Sequence, residues 1–397
     1  MSDSRIAIVY DNLNTVYGGA EVVLKTLLSA FPDAHVYSTV CTLQKDSWLG
    51  EHQVTTSFLQ KLPGFLRIRH QLQALLAPLA IESLHITEPI VISVSAGVSK
   101  GCTTRPEQLH ICYLLTPTRY LHDSESALQA AGISRLPIIN WLARTALRYL
   151  RWWDYAAAQR PDRCITISKL VSRRLESIYN RNPDASVYPP FIPQKIEISP
   201  QLQSLELPDF LFSVGRQVWY KRIDVLIEYS KASRMPTIIA GEGATTKNWQ
   251  KLAGKDAIVR KSGQSLRSAL SAWDSQTQPI LFVGRITQKE KALLFTNATA
   301  FVMPGVEDFG LTALEALYYG CPAIVNQESG VAEVLNNQVA LFLSSASVLD
   351  ITQAVAARKD MNISHSLLKQ HALRYSEIEF KQQFAQHIQK WSLYVGT

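Results

Sequence analysis

The sequence predicts an α/β protein that consists of two doubly wound domains with parallel sheets. Short apolar runs alternate with amphipathic helical stretches along the chain, these runs fall into two sets, and a proline-rich segment separates the sets. Near-continuous runs of Val, Ile and Leu between helices are typical of parallel sheets that are covered on both faces. A length of 397 residues also favours two domains over one.

The predicted strands define a first domain over residues 1–188 and a second over residues 209–375. The first set of strands is expected at 6–10, 89–95, 109–115 and 163–168. The second set is expected at 210–214, 237–241, 257–260, 279–284, 300–304, 322–326 and 339–343. Residues 189–208 contain five prolines and show no helical period, which predicts an interdomain linker. Ligands of such sheets bind beyond the carboxyl ends of the strands, so the loops after strands hold the candidate sites.

Composition excludes several classes of protein. Hydrophobic residues make up 47% of the chain and charged residues 18%, which excludes wholesale disorder. No run approaches the roughly 18 apolar residues of a membrane span, and the first residues lead directly into a predicted strand. The five cysteines are scattered and lack CxxC spacing, so neither a disulfide framework nor a zinc site is expected. We therefore expect a cytoplasmic protein with reduced thiols.

The formal net charge of +7 is concentrated in one segment. Residues 135–174 carry nine Lys or Arg against two Asp, and the rest of the chain is balanced. Such a surface suits phosphates, an anionic membrane or no partner at all. The stretch 58–84 also mixes basic with aromatic and leucine residues, which predicts either contact with anionic lipid or an acceptor, or a helical pair packed on its own domain. No nucleic-acid partner is expected, because no RNA-binding signature accompanies the Trp152–Trp153 pair.

Two carboxylates mark the most informative stretch of the sequence, residues 303–325. A predicted strand ends there, a loop holds Glu307, and a helix that contains Glu315 is expected to begin near Gly310. The amides of Phe309, Gly310 and Leu311 at this helix start form an anion site that the helix dipole strengthens. An anion between two carboxylates suits a phosphate with hydroxyl-rich groups on both sides, as in a nucleotide-sugar. The alternative is a capping box, since Thr312 and Glu315 have its spacing.

Two cations follow the first predicted strand of the second domain. Gly215 allows a turn there, and Arg216 and Lys221 are expected to project towards the cleft. Near a diphosphate, these charges would stabilise a departing nucleotide. Without the Glu307 motif, solvated surface would be the better interpretation of such a pair. In the first domain Gly18 and Gly19 separate a strand from a helix, which suits either close approach to a phosphate or an ordinary glycine turn.

These motifs together resemble a known family. The segment EDFGLTALEALYYGCP is similar to the Glu-x7-Glu signature of glycosyltransferase family 4, the group 1 transferases. The segment YLLTPTRY resembles the Tyr-x-His-Thr-Pro-x-Arg-Tyr pattern of its mannosyltransferase-like branch, and the resemblance covers nearly the whole chain. It implies the GT-B fold, in which two Rossmann-like doubly wound domains face a cleft. Residues 376–397 would form a helix that returns to the first domain.

The resemblance also implies a reaction. Family members transfer a hexosyl group, possibly mannosyl in this branch, from a nucleotide-sugar to a glycan or lipid-linked acceptor with retention of configuration. They use neither a metal nor another cofactor, and the absence of an Asp-x-Asp motif agrees with this. By resemblance, Glu307 binds the sugar hydroxyls and Glu315 the ribose, while Arg216 and Lys221 offset the charge of the leaving diphosphate.

The remaining site residues are also carried over from the family. The amides of Phe309, Gly310 and Leu311 would hold the donor phosphates or the sugar, and the loop at Gly18 and Gly19 would face the diphosphate. The expected location is the cytoplasm, with contact to the anionic inner face of a membrane as an open alternative.

One residue departs from the pattern of the family. Leu115 occupies the position of a histidine that contacts the donor sugar in relatives, and leucine donates no hydrogen bond. If the chain is active, Arg119 or the amides of Gly18 and Gly19 are the nearest replacements, whereas His110 and His122 are expected to be surface or packing residues. The alternative function is a non-catalytic nucleotide-sugar-binding or scaffolding subunit.

Overall fold

The chain forms two compact units. The structure, a computed structural model, describes residues 6–13, 18–44, 48–62, 70–122, 137–194, 196, 207–360 and 363–393. The first unit comprises Met1–Pro190 and Glu377–Thr397, and the second comprises Phe191–Ser376. Each unit contains one seven-stranded sheet in which every strand pair is parallel. The predicted α/β class with two doubly wound sheets is confirmed.

The first sheet has the strand order β3-β2-β1-β4-β5-β6-β7. Its central strands are buried along their whole length, which explains their continuous apolar sequences. The strands are β1 Ile6–Tyr10, β2 His35–Ser38, β3 Val54–Thr56, β4 Ile90–Ser95, β5 Leu109–Leu114, β6 Arg163–Thr166 and β7 Ala185–Ser186. The helices of this part of the chain are α1 Gly19–Ala30, α2 His70–Glu82, α3 Arg119–His122, α4 Pro137–Ala158 and α5 Lys169–Tyr179.

The second sheet has the strand order β10-β11-β9-β8-β12-β13-β14. Its strands are β8 Leu211–Val214, β9 Thr237–Ala240, β10 Ala257–Val259, β11 Ile280–Gly284, β12 Ala300–Met303, β13 Ala323–Asn326 and β14 Ala340–Leu343. Its helices are α6 Ile223–Ser233, α7 Thr246–Ala253, α8 Leu266–Ser271, α9 Gln288–Asn297, α10 Leu311–Tyr318, α11 Val348–Asp360 and α12 His365–Leu373. The last helix, α13 Glu377–Ser392, belongs to the first unit.

Helix α13 packs against the first sheet through aromatic rings. Phe380 and Phe384 each lie edge-on to Tyr113 of β5, with ring centroids 5.6 Å apart in both pairs. Edge-to-face contacts of this kind stabilise a packed core beyond the area that they bury. Ser29 of α1 donates a hydrogen bond to Glu377 at the start of α13. The first unit is therefore built from both ends of the chain.

Each sheet has a switch point, where the connections that follow two adjacent strands lead in opposite directions. In the first sheet this switch point lies between β1 and β4, and in the second it lies between β8 and β12. Because the loops after the two flanking strands diverge there, a switch point leaves a crevice at the carboxyl edge of the sheet. The motif residues follow β8 and β12, so they lie at the switch point of the second sheet. Among the described residues, no helix is both long enough and apolar enough to cross a membrane.

Candidate functional site

A cavity lies at the switch point of the second sheet. Residues of β8 and β12 and of the loops that follow these strands line it, together with residues of β9 and of the start of α6. Its lining comprises Ser213, Val214, Gly215, Arg216, Gln217, Lys221, Ile223, Ile239, Ala240, Phe301, Met303, Pro304 and Glu307. The cavity therefore brings together three of the predicted site residues, Arg216, Lys221 and Glu307.

An ion pair joins the two loops at this cavity. The ammonium of Lys221 donates to the Glu307 carboxylate, and both side chains are more than four-fifths buried. A Cβ on Gly215 would lie only 2.8 Å from the Lys221 ammonium, so the absence of a side chain at this position leaves room for the lysine. Arg216 is exposed beside the pair and has no hydrogen bond or ion pair with any described residue. The three charged groups therefore carry a net charge of +1, which suits an anionic ligand.

Three strand-end loops fix the positions of these charges through their backbones. The amide of Gly215 donates to the carbonyl of Ala240 at the end of β9, and the Gln217 amide donates to the carbonyl of Glu242. The side-chain Nε2 of Gln217 donates to Gly241 O at 2.8 Å. Across the cavity, the Gly305 amide donates to Lys221 O at 3.2 Å. These bonds hold the β8 loop against both neighbouring loops, which preorganises the cations.

The Glu307 loop is anchored from its other side. The amide of Glu307 donates to the Ser329 hydroxyl at 3.1 Å, and Ser329 donates in turn to Gly305 O. The carbonyl of Glu307 accepts the amide of Gly330. The backbone on both sides of Glu307 is therefore hydrogen-bonded, so its carboxylate has a defined direction.

Helix α10 begins where the sequence predicted. Gly310 adopts a left-handed conformation with a φ of 105°, and a Cβ there would lie 2.9 Å from the Met303 side chain. This position therefore favours glycine. Phe309, whose side chain is buried, precedes it, and Leu311 is the first helical residue. The amides of the first helical turn point away from the helix towards the carboxyl edge of the sheet, as an anion site requires.

Glu315 does not form the capping box that its spacing allows. The N-cap of α10 is Gly310, and no side chain caps this helix. Both carboxylate oxygens of Glu315 accept hydrogen bonds from Lys291 of α9 instead, at 3.0 and 2.9 Å. The capping alternative is therefore wrong, because the carboxylate turns away from its own helix start. Sequence reasoning missed Lys291, since an isolated lysine on an amphipathic helix carries no motif signal.

The paired glycines of the first unit begin helix α1. The amide of Gly18 donates to the Glu21 carboxylate at 2.9 Å, and the buried Tyr10 hydroxyl donates to the same carboxylate. Burial, followed by the Glu21 charge, raises the pKa of Tyr10 well above its usual value. The Gly18 amide is thus already engaged. Gly19 is the first helical residue, so its amide has no partner inside α1.

The residues around the replaced histidine lie at the end of β5. Leu115 is buried, and its amide donates to Ser95 O at 2.8 Å. Arg119 is half-buried at the start of α3. His110 is fully buried, its Nε2 lies 2.8 Å from the Ser93 hydroxyl, and burial lowers its pKa to about 3. The prediction that His110 is a packing residue agrees with this position.

His122 takes part in a buried polar network that the sequence did not reveal. Its Nε2 lies 2.8 Å from Asp154, which is completely buried and also accepts hydrogen bonds from the Tyr179 and Thr118 hydroxyls. The buried Lys100 ammonium donates to the same carboxylate at 2.6 Å. Burial alone would raise the pKa of Asp154, but the Lys100 charge and these hydrogen bonds hold it well below its usual range. His122 is therefore an oriented residue rather than a simple surface one.

The described residues contain no group of three or more His, Cys, Asp or Glu placed to hold a metal ion. The charged groups at the cavity are instead two cations and one carboxylate. Cations of this kind pair with phosphate oxygens, and a carboxylate accepts hydrogen bonds from hydroxyl groups.

A family model matches most of the second unit. Residues 194–361 match the model of the family described as glycosyl transferases group 1. An uncharacterized glycosyltransferase of Methanocaldococcus jannaschii is 25% identical over 202 residues, which is 47% of each chain. O-antigen chain mannosyltransferase C of Escherichia coli is 27% identical over 133 residues, or 33% of this chain and 30% of that protein. The matches thus span less than half the length of these curated relatives.

Solved structures are similar over nearly the whole chain. Sucrose-phosphate synthase from Thermosynechococcus elongatus superimposes with a TM-score of 0.66 and 15% identity, covering 98% of this chain and 100% of that one. Anabaena HepE in complex with UDP gives a TM-score of 0.63 at 13% identity and covers 96% of this chain and 99% of that one. At such identities the likeness establishes the fold. The chain has the GT-B fold that its motifs implied, and its residues 194–361 match the glycosyl transferases group 1 model.

Proposed function

We propose that this protein is a glycosyltransferase that moves a hexosyl group from a nucleotide-sugar to a hydroxyl of a glycan or lipid-linked acceptor. The observation that carries the proposal is the cavity at the second switch point, where Arg216 lies exposed beside the Lys221–Glu307 ion pair. One carboxylate and two cations on neighbouring loops match a sugar diphosphate, since the cations bind phosphate oxygens and the carboxylate accepts sugar hydroxyls. The group 1 family match and the UDP named for HepE support a nucleotide-sugar donor.

Arg216 and Lys221 stabilise the leaving group in the proposed reaction. The bond between the anomeric carbon and the diphosphate oxygen breaks, and its electron pair leaves with the nucleotide. The acceptor oxygen bonds to the same carbon, and its proton passes to the released phosphate. Charge grows on the diphosphate during this step, so fixed cations in a partly desolvated cavity lower the barrier. They supply the charge that a divalent metal would otherwise supply, so transfer is independent of added metal.

Glu307 positions the donor sugar, and Glu315 binds the ribose. The doubly anchored loop around Glu307 gives its carboxylate a fixed direction towards the cavity, where sugar hydroxyls can donate to it. Lys291 holds Glu315 through both carboxylate oxygens, which leaves the remaining lone pairs to accept the ribose hydroxyls. The start of α10 at Gly310 and the amide of Gly19 are further anion-binding groups in this proposal. Retention of configuration and a mannosyl donor rest on the family resemblance and on the similarity to an O-antigen mannosyltransferase.

The test begins with the identification of the donor. Purified protein is screened by thermal shift against a panel of nucleotide-sugars, because a ligand that binds only the folded state raises the melting temperature. The best donor is then incubated with glycan and lipid-linked acceptors in excess chelator, and the anomeric configuration of the product is read by NMR. We expect transfer with retention in chelator. Strict dependence on a divalent metal, or an inverted product, would contradict the mechanism.

The alternative is a nucleotide-sugar-binding subunit without catalytic activity, and the burial of Leu115 favours it. A packed leucine supplies no hydrogen bond to the donor sugar, whereas Arg216 and Lys221 both line the cavity of the second unit and are available to bind phosphate in this proposal. The variant Leu115→His separates the two functions. Donor binding without transfer in the wild type, together with turnover in this variant, would establish the binding subunit.

A further inference from the structure

Helix α4 presents an aromatic and basic face that the described residues of the first unit leave exposed. Trp141 and Trp152 are 66% and 68% exposed, although tryptophan is among the most buried residue types on average. Tyr149 and Tyr155 are also exposed. At about 100° per residue, Trp141, Arg148 and Trp152 fall within an arc of about 40°, and the two tyrosines flank it. The two tryptophans lie on one face about 17 Å apart along the axis.

The opposite face of α4 shows why this one is free. Leu150, Trp153 and Ala157 are buried, and Trp153 donates from Nε1 to Glu82 of α2 at 2.8 Å. Asp154, on the same side, is held by the buried Lys100. These contacts fix the rotation of the helix about its axis. The exposure of the aromatic face therefore follows from the packing of the other face.

The charge on the exposed face has a single sign. Arg144 and Arg148 are exposed, and neither has an ion-pair partner among the described residues. Arg151 is also exposed and donates from Nε to the carbonyl of Leu121. The only acidic residue of α4 is Asp154, which is buried. No carboxylate of this helix neutralises the arginines of the exposed face.

We propose that this face of α4 docks on the surface of an anionic membrane, with the helix lying in the plane of the interface. Tryptophan and tyrosine place an apolar body in the acyl boundary and a polar edge among the headgroups, and arginine binds the lipid phosphates. Charge complementarity selects anionic lipid over a neutral surface. Helix α2, which packs against α4, also exposes the apolar side chains of Leu75 and Leu79, one turn apart. The proposal does not depend on the proposed function, because it needs no nucleotide-sugar.

Sedimentation with lipid vesicles tests this proposal directly. Full-length protein is mixed at low salt with one of two vesicle preparations. One consists of phosphatidylcholine alone, and the other also contains about 30% phosphatidylglycerol, which gives a negative surface. We expect binding to the anionic vesicles, release as salt rises, and little binding to the neutral ones. Each of Arg144→Gln and Arg148→Gln should weaken binding about five-fold. The double variant Trp141→Ala/Trp152→Ala should weaken it even at low salt.

Matched controls separate docking from general charge and hydrophobicity. Arg173→Gln removes an exposed arginine of helix α5, and Ile378→Ala removes an apolar side chain of α13 that is 68% exposed. Both controls should bind vesicles as the wild type does. Because every substituted side chain is exposed, the melting temperatures should be unchanged, which shows that each variant is folded. Absence of binding to anionic vesicles, equal losses in the controls, or an arginine-dependent affinity for an oligonucleotide in place of lipid would each overturn the proposal.

Discussion

Replacement of Lys221 by alanine is expected to weaken the binding of a nucleoside diphosphate by about 10- to 150-fold. A hydrogen bond to a charged group contributes about 1.5–3 kcal/mol, and about 1.4 kcal/mol changes an affinity ten-fold. Lys221 is more than four-fifths buried, so water screens its charge only in part. In the absence of ligand the Lys221 ammonium pairs with Glu307, so a bound diphosphate must compete with this carboxylate. We therefore expect the loss of affinity to fall in the lower half of this range of about 10- to 150-fold.

Because of the same ion pair, Glu307→Gln is expected to change the affinity for the diphosphate in the opposite direction. Removal of the carboxylate frees Lys221 and removes a negative charge near the phosphates, so the diphosphate should bind as well as before or more tightly. The sugar loses an acceptor for its hydroxyls, and transfer should fall by about 10²–10³, as for other preorganised groups near developing charge. If the ion pair had only a structural role, Lys221→Ala and Glu307→Gln would both weaken the binding of the diphosphate.

Isothermal titration calorimetry on the full-length chain measures both affinities. Lys251→Ala and Glu228→Gln are the matched controls, because both side chains are exposed on helices of the second unit, α7 and α6, outside the cavity lining. A melting curve for each variant checks that it is folded. Unchanged affinity in Lys221→Ala, or equal losses in Lys221→Ala and Glu307→Gln, would refute the assignment.

Two further predictions concern ion pairs that the sequence did not reveal. Lys100→Met removes the buried ammonium that pairs with the Asp154 carboxylate and should lower the free energy of unfolding by about 3–5 kcal/mol in urea titrations. The double variant Lys100→Met/Asp154→Leu should recover part of this loss. In the folded protein the pKa of Asp154 lies below its usual value, so the ionised carboxylate stabilises the fold at neutral pH. This contribution to the free energy of unfolding should decline on acidification towards the lowered pKa. A wild-type free energy of unfolding that does not change on acidification would contradict this. Lys291→Met should raise the KM for the donor with little change in kcat, because Lys291 supports ribose binding in ground and transition states alike. Steady-state kinetics check this, and a fall in kcat at constant KM would contradict it.

Most of the fold was predictable because its strands carry continuous apolar runs. All seven strands of the second sheet lie where such runs occur. Three strands of the first sheet were missed: β2 His35–Ser38, β3 Val54–Thr56 and β7 Ala185–Ser186. They have two to four residues and contain His, Ser and Thr, so no apolar run marks them. Their pairing is decided by the neighbouring strand rather than by local sequence.

The site was predictable where motif residues follow a strand, and not where the partner lies on another element. The proximity of Glu307, Arg216 and Lys221 was predictable because the carboxyl ends of β8 and β12 meet at one edge of the sheet. The contact of Glu315 with Lys291 joins two helices 24 positions apart in the sequence, and no spacing rule addresses such a pair. Trp152 and Trp153 show the same limit. They are adjacent in the sequence, yet one is exposed and the other buried, since only the orientation of the helix decides which residue faces the core.

The return of α13 to the first unit has a consequence for the order of events during synthesis. Tyr113 of β5 leaves the ribosome long before Phe380 and Phe384, its ring partners, because the whole second unit is translated in between. Phe380 follows Tyr113 by 267 positions, so at about 5–20 residues per second this interval is on the order of 13–53 s. For that time the aromatic ring of Tyr113 has no cover from α13, so the nascent first unit exposes an apolar surface that the finished protein buries. Premature termination within the second unit would release a first unit that lacks its last helix.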